Sequence, residues 1–135
     1  MVKTKRIYDP QESSDGTRIL VMRLWPRGIR RDRVDEWNRD VAPSRGLVQA
    51  FKRRGLPWKD YVKRYWREVR AEAVDSLRRR ARGETITLLC SCADETRCHR
   101  GLLKNAITPR RASSGSRARE VQPRVRRGGR PGARS

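Results

Sequence analysis

Glu84-Thr85-Ile86-Thr87-Leu88-Leu89-Cys90 is the stretch on which the fold turns. Its β-branched and apolar residues follow one another without a polar alternation, so it reads as a buried strand. Before it, apolar residues recur at helical spacing from Trp58 through Tyr61, Tyr65, Val69 and Val74 to Leu77 and Ala81. That spacing predicts one long helix from Trp58 to Arg82, with Gly83 at its C-terminal cap and Arg78 to Arg82 at the negative end of its dipole. After it, the polar turn Ser91 to Thr96 leads to Leu102, Leu103, Ala106 and Ile107, the apolar face of a short helix. Asp94 or Thr96 is its expected cap, with Arg97, Cys98 and His99 in its first turn.

Toward the N-terminus, Arg6-Ile7-Tyr8 and Arg18 to Trp25 are β-rich, and the loop Pro10 to Gly16 separates them. The second run is almost continuously apolar and stops at Pro26 and Gly28, as a strand covered on both faces would; its expected place is central in the sheet. A short helix is expected around Val34 to Asp40. Ser44 is the expected N-cap of another that runs to Arg54, before Gly55-Leu56-Pro57 breaks the chain. Strand, helix, strand, helix is the order of an α/β fold with a mostly parallel sheet.

The chain has 135 residues, 35% of them hydrophobic, enough for one modest core. Residues 1 to 107 are expected to form that domain. From Thr108 to Ser135 the sequence changes abruptly to Ser, Gly, Pro and nine Arg against the single Glu120, a composition that cannot fold alone. Two readings of this tail are open: a nucleic-acid-binding arm, or translation in a non-native reading frame. The formal charge is +20, of which the tail carries +8. Such a field admits small anions, nucleotides and nucleic acid as partners. An apolar leader and a run of the ~20 apolar residues needed to span a bilayer are both missing, so no membrane association is expected. Three cysteines within nine positions, Cys90, Cys92 and Cys98, suit a reducing compartment better than a disulfide framework. The expected location is the cytoplasm.

In open α/β sheets ligands bind beyond the carboxyl ends of the strands. The loop from Cys90 to Arg100 lies at such an end and holds the candidate catalytic residues Cys90, Cys98 and His99. A thiol in the first turn of a helix, near Arg97 and Arg100, feels a positive potential that favours the thiolate. Neighbours on a helix point ~100° apart, so Cys90 with His99 is expected to make a better thiol–base pair than Cys98 with His99. The plainer alternative is that the thiols are small buried apolar groups and His99 hydrogen-bonds a carbonyl. Three thiols and an imidazole also match a Cys₃His zinc set in number. All four would come from ten consecutive residues, however, and adjacent Cys98 and His99 reach one ion only if the helix starts after them, so no metal is expected.

The second candidate element is Arg23-Leu24-Trp25-Pro26-Arg27-Gly28, where a strand delivers cations to its own carboxyl end. Arg23 and Arg27, with Arg100, are candidates to clamp a phosphate or carboxylate, and Trp25 either contacts the substrate or packs beneath the turn. No Walker, Rossmann or serine-triad signature is present, and no organic cofactor is expected.

Arg23-Leu-Trp-Pro-Arg-Gly28, Asp35-Glu36-Trp37 with Ala42-Pro43-Ser44, Tyr61-x-x-x-Tyr65 with Glu68, and Cys90-x₇-Cys98-His99-Arg100 resemble successive blocks of the DUF488 family, covering about Lys5 to Ile107. The resemblance implies a small Rossmann-like three-layer α/β fold and a Cys/Cys/His/Arg site loop, with no particular reaction. The chain departs from it at two positions. Many DUF488 chains carry an acidic residue where Met22 stands, and many carry Glu where Cys92 stands. On these readings the expected function is binding of, or chemistry on, a small anionic, nucleotide-like or nucleic-acid substrate at the Cys/His/Arg loop. The alternatives are a non-catalytic nucleic-acid-binding protein with a basic tail, and a structural zinc loop.

Overall fold

A computed structural model of the chain describes residues 1–109. The Arg-rich segment from 110 to 135, on which the reading of a basic tail falls, lies outside the described residues. Four strands, β1 (Val2–Arg6), β2 (Thr17–Leu20), β3 (Glu36–Trp37) and β4 (Ile86–Cys90), form one parallel sheet in the order β1-β4-β2-β3. The apolar run read first in the sequence is β4, interior to the sheet and buried at all five residues. Burying such a side chain contributes roughly 1.5–3 kcal/mol. β2 is interior too, as its apolar pattern requires.

Four helices, α1 (Arg45–Arg53), α2 (Trp58–Glu68), α3 (Ala71–Ala81) and α4 (His99–Ile107), pack their apolar faces on one side of this sheet. There Leu47, Tyr61, Leu77 and Leu103 meet Ile19, Val21, Ile86 and Leu88. The opposite face carries Ile7, Leu20 and Leu89 and is covered by Trp25, Ile29, Val34 and Trp37, so the third layer is built from loop rather than from α-helix. No helix among the described residues is long and apolar enough to cross a membrane.

The β1–β2 connection crosses this loop-covered face. Lys3, Thr87 and Arg18 form one cross-strand row, and Asp15, fully buried, sits on it. Its main-chain carbonyl accepts from Thr87 Oγ1 (2.7 Å), and its carboxylate takes Lys3 (3.2 Å), Lys5 (2.8 Å) and Arg18 (2.5 Å). Gly16 closes the turn at φ +64°, where an added Cβ would overlap the Thr85 carbonyl.

Several elements differ from the sequence expectations. The Trp58–Arg82 helix is two helices, because Val69 and Arg70 adopt extended backbone (ψ 143° and 123°). The break is invisible to periodicity because both helices turn their apolar sides to the same core. Gly83 is not among the positive-φ glycines, and α3 ends on Arg82 in ordinary helical geometry. The helix expected at Val34 to Asp40 is instead β3 followed by a single 3₁₀ turn, Arg39–Val41. Asp35 accepts from the Arg18 backbone N–H (2.8 Å), which ties this segment to β2 as a strand. β1 begins earlier than expected. β2 stops at Leu20, not Trp25, because beyond one further ladder bond, Val21 N–H to Leu89 O (3.0 Å), the chain leaves the sheet. Ser44 caps α1 as expected, its Oγ accepting from the Leu47 N–H (3.2 Å).

Candidate functional site

α4 begins at His99, not at Arg97. A 3₁₀ turn, Glu95–Arg97, capped by Asp94, comes first, and Cys98 is the N-cap of α4 with extended backbone (φ −142°, ψ 147°). That conformation removes the premise that Cys98 and His99 diverge as helical neighbours. Cys98 Sγ lies 3.6 Å from Cys90 Sγ and 3.7 Å from His99 Nδ1. The closest thiol–imidazole contact is therefore Cys98 with His99 rather than the expected Cys90 with His99.

His99 is buried, and its Nε2 lies 2.6 Å from the carbonyl oxygen of Val21 at the end of β2. A carbonyl only accepts, so Nε2 carries the proton and Nδ1 presents its lone pair toward Cys98. Burial depresses the His99 pKa to about 4, outweighing the Val21 hydrogen bond that favours the charged form, so the ring is neutral at physiological pH. Val21 O thus fixes the tautomer and orients the imidazole.

The three thiols lie within 4.8 Å of one another. Cys90 and Cys98 are 3% and 2% exposed, whereas Cys92, just past the end of β4, is half-buried with Lys52 Nζ 3.8 Å from its sulfur. Hydrogen bonding from Cys90 and Cys98, together with the Lys52 charge, pulls the Cys92 pKa well below the usual thiol value. The Cys98 thiol is pushed up by its hydrogen bonds with Cys90 and Cys92 and by burial. Of the three thiols, the half-buried Cys92 is the one whose surroundings favour the thiolate.

These sulfurs face a cavity of about 110 Å³ at the carboxyl ends of β2 and β4. Phe51, Tyr61 and Val48 form its apolar wall, and Arg23, Lys52 and Arg97 its cationic rim. Tyr61 is held in a stack between Trp58 and Tyr65, with ring centroids 5.0 and 6.4 Å away. Among the described residues, none of the three rim cations makes a salt bridge. Arg23 is braced by carbonyls instead, donating to Pro43 (3.1 Å) and Ala42 (3.1 Å). The two departures from the DUF488 pattern meet at this cavity. Met22 and Cys92 both line it and give it a thioether and a thiol.

The other predicted site residues do not reach the cavity. Arg27 is exposed and does not line it. Arg100 is buried, and its Nη1 donates to the Cys92 carbonyl (2.6 Å), so it shapes the site loop from behind. Trp25 packs edge-on against Trp37 (5.4 Å) and donates to Ile29 O (2.8 Å) in the layer on the opposite face. Lys52 was not singled out in the sequence, Arg97 entered only as a source of positive potential, and Cys92 only as a member of the zinc set and a departure from the DUF488 pattern. For Cys92 a signal was there: it shares strand parity with Cys90, two residues on.

Other motif blocks position these elements. Glu68 at the end of α2 accepts from the Ser44 N–H (2.5 Å) and Oγ (3.0 Å), pinning the start of α1 to α2. Tyr65 OH donates to Val41 O (2.7 Å), and Trp37 Nε1 to Met22 O (2.7 Å).

Residues 2–111 match the model of DUF488-N3a, described as the active DUF488-N3 subclade. The chain is 37% identical over 102 residues to the uncharacterized protein YeaO of Escherichia coli, covering 73% of this chain and 89% of that one. It is 31% identical over 112 residues to the uncharacterized protein Rv3073c of Mycobacterium tuberculosis, covering 81% and 95%. No solved structure matches the chain significantly. On its sequence blocks, its parallel α/β fold and this match over most of its length, the chain belongs to the DUF488 family.

Proposed function

We propose that the protein binds a small anionic substrate in this cavity and acts on it through a cysteine thiol. The observation that carries the reading is the set of three cations, Arg23, Lys52 and Arg97, lining a cavity that also holds a half-exposed thiol, with no carboxylate paired to any of them. At the β1–β2 crossover Lys3, Lys5 and Arg18 are neutralised by the Asp15 carboxylate; here the place of the counter-charge is left to a ligand.

The proposed roles follow from position. Arg23, Lys52 and Arg97 hold the anion. Cys92, the accessible thiol, is the nucleophile, which moves this role from Cys90 and Cys98. His99, neutral and oriented by Val21 O, presents Nδ1 to Cys98, whose sulfur lies 3.6 Å from that of Cys90, and Lys52 Nζ lies 3.8 Å from the Cys92 sulfur. A cavity of about 110 Å³ admits a few waters or one phosphate-, sulfate- or carboxylate-sized group. A nucleotide substrate would place one phosphate inside and its nucleoside outside.

Protection from alkylation tests this reading. Inorganic phosphate, titrated at constant ionic strength, should saturably slow iodoacetamide modification of Cys92 in the full chain, followed by peptide mass spectrometry. Arg97→Gln and Lys52→Gln should each weaken that protection. A Cys92 modification rate indifferent to phosphate, sulfate and small carboxylates would remove the proposal.

A further inference from the structure

We propose that Cys90, Cys92 and Cys98 form a three-sulfur site for a soft monovalent cation of the copper(I) type. The proposal does not depend on the anion reading and competes with it, because a bound ion would occupy the same sulfurs and close the cavity to substrate.

The geometry comes first. With metal–sulfur bonds of ~2.3 Å, three sulfurs around one ion in a plane sit ~4.0 Å apart. Here Cys90 and Cys98 are 3.6 Å apart and all three pairs lie within 4.8 Å, so small rotations of the side chains close the triangle. Cys98 can join it only because α4 starts at His99 and leaves Cys98 at the N-cap with extended backbone.

The donor set then selects the ion. Thiolates alone favour soft cations, and copper(I) is satisfied by three of them. Zinc takes four ligands in a structural site. The obvious fourth, His99, has Nδ1 3.7 Å from Cys98 Sγ, but its ring nitrogens fall outside the group of ligand atoms that lie within 4.8 Å of one another. Three thiolates around a monovalent ion carry a net charge of −2, and the surroundings answer it. Lys52 Nζ is 3.8 Å from Cys92 Sγ, and Arg23 and Arg97 line the same cavity. Cys92 is the ligand that opens the site to the ion, since it is half-buried while its two partners are buried.

Copper(I), supplied anaerobically to the reduced full chain from a chromogenic chelator, is the probe. One ion per chain is expected by native mass spectrometry, with X-ray absorption giving three sulfur neighbours and no nitrogen. Cys92→Ser, which alters a position beyond the end of β4, should reduce the coordination to two sulfurs. Cys90→Ser and Cys98→Ser should each lower the affinity roughly tenfold or more, with circular dichroism checking their fold. Equimolar zinc should leave copper loading unchanged. Two sulfur neighbours in the wild type, a nitrogen neighbour, or wild-type affinity in folded Cys92→Ser, Cys90→Ser or Cys98→Ser would overturn the proposal. Phosphate protection of Cys92 in metal-free protein reports on the anion reading alone, so the two fail separately.

Discussion

On the loop-covered face of the sheet three cations, Lys3, Lys5 and Arg18, meet at the Asp15 carboxylate; at the carboxyl ends of β2 and β4 three others, Arg23, Lys52 and Arg97, line a cavity that contains none. The first cluster is closed. Asp15 and Arg18 are 0% and 1% exposed, and the carboxylate also accepts from the Glu12 backbone N–H (3.1 Å). The second is open, and its lining holds thiols but no carboxylate. The same chemical inventory thus does two jobs. Where the chain supplies the counter-charge, the cations hold the β1–β2 crossover against the sheet; where it does not, they are available to a ligand.

The largest effect is expected from breaking the closed cluster. Asp15→Ala leaves Arg18 buried with its counter-charge removed, and should cost about 3–5 kcal/mol in urea denaturation. A loss below about 1 kcal/mol would place the cluster with ordinary surface pairs and erase the contrast.

Gly16→Ala should come next. It forces a Cβ against the Thr85 backbone at φ +64°, at a cost of about 1–3 kcal/mol. Gly28, at φ +80° in the loop that follows Pro26, has nothing within 4 Å of an added Cβ, so Gly28→Ala should cost less, by backbone strain alone. Equal losses in melting temperature would show that the packing of the closed face is not what distinguishes the two positions.

Acid titration separates the clusters again. Burial alone would raise the Asp15 pKa, but hydrogen bonds from Lys5, the Glu12 backbone, Lys3 and Arg18 outweigh it and hold the carboxyl below its ordinary value of 3.8. A carboxyl depressed in the folded state contributes stability that is fully present above its unfolded pKa and is lost as pH falls below it. Unfolding free energy should therefore drop from about pH 4 downward. Asp15→Asn, with Lys3, Lys5, Arg18 and Glu12 unchanged, should flatten that slope. A slope unaltered in this variant would assign the acid sensitivity to other carboxylates.

The smallest effect on stability is expected at the open rim. Lys52→Gln should leave unfolding free energy within about 0.5 kcal/mol of wild type while weakening phosphate protection of Cys92. A destabilisation comparable to that of Asp15→Ala would mean that Lys52 is structural.

The elements legible in the sequence were those whose pattern is local and continuous. β4 announces itself by an uninterrupted apolar run, and α1 by the Ser44 cap. The division between α2 and α3 left no trace because neither glycine nor proline marks Val69-Arg70 and the apolar spacing runs on in phase. β3 is two residues long, below the length at which alternation is visible, and owes its extension to hydrogen bonds from β2. At the site, the loop Cys90 to Arg100 was found from its position after a strand, but the roles within it depended on where α4 begins. Two residues of difference put Cys98 on an extended backbone and turned it toward Cys90 and His99 Nδ1. Lys52 comes from α1, about forty residues away in sequence, and no local pattern links it to Cys92. Arg27 and Trp25 had the right composition and the wrong direction, because the chain leaves the sheet after Val21.

The central claim is that the cavity draws anions to Cys92, and alkylation by a charged and an uncharged reagent tests it most directly. The ratio of iodoacetate to iodoacetamide rates at Cys92, divided by the same ratio for 2-mercaptoethanol, cancels the ionisation of the thiol and isolates the effect of the site. In metal-free full-length protein at low ionic strength this quotient should be ~10 or more, should fall as salt screens the rim, and should fall in Lys52→Gln and Arg97→Gln. A quotient near one, or first modification at Cys90 or Cys98, would contradict the account.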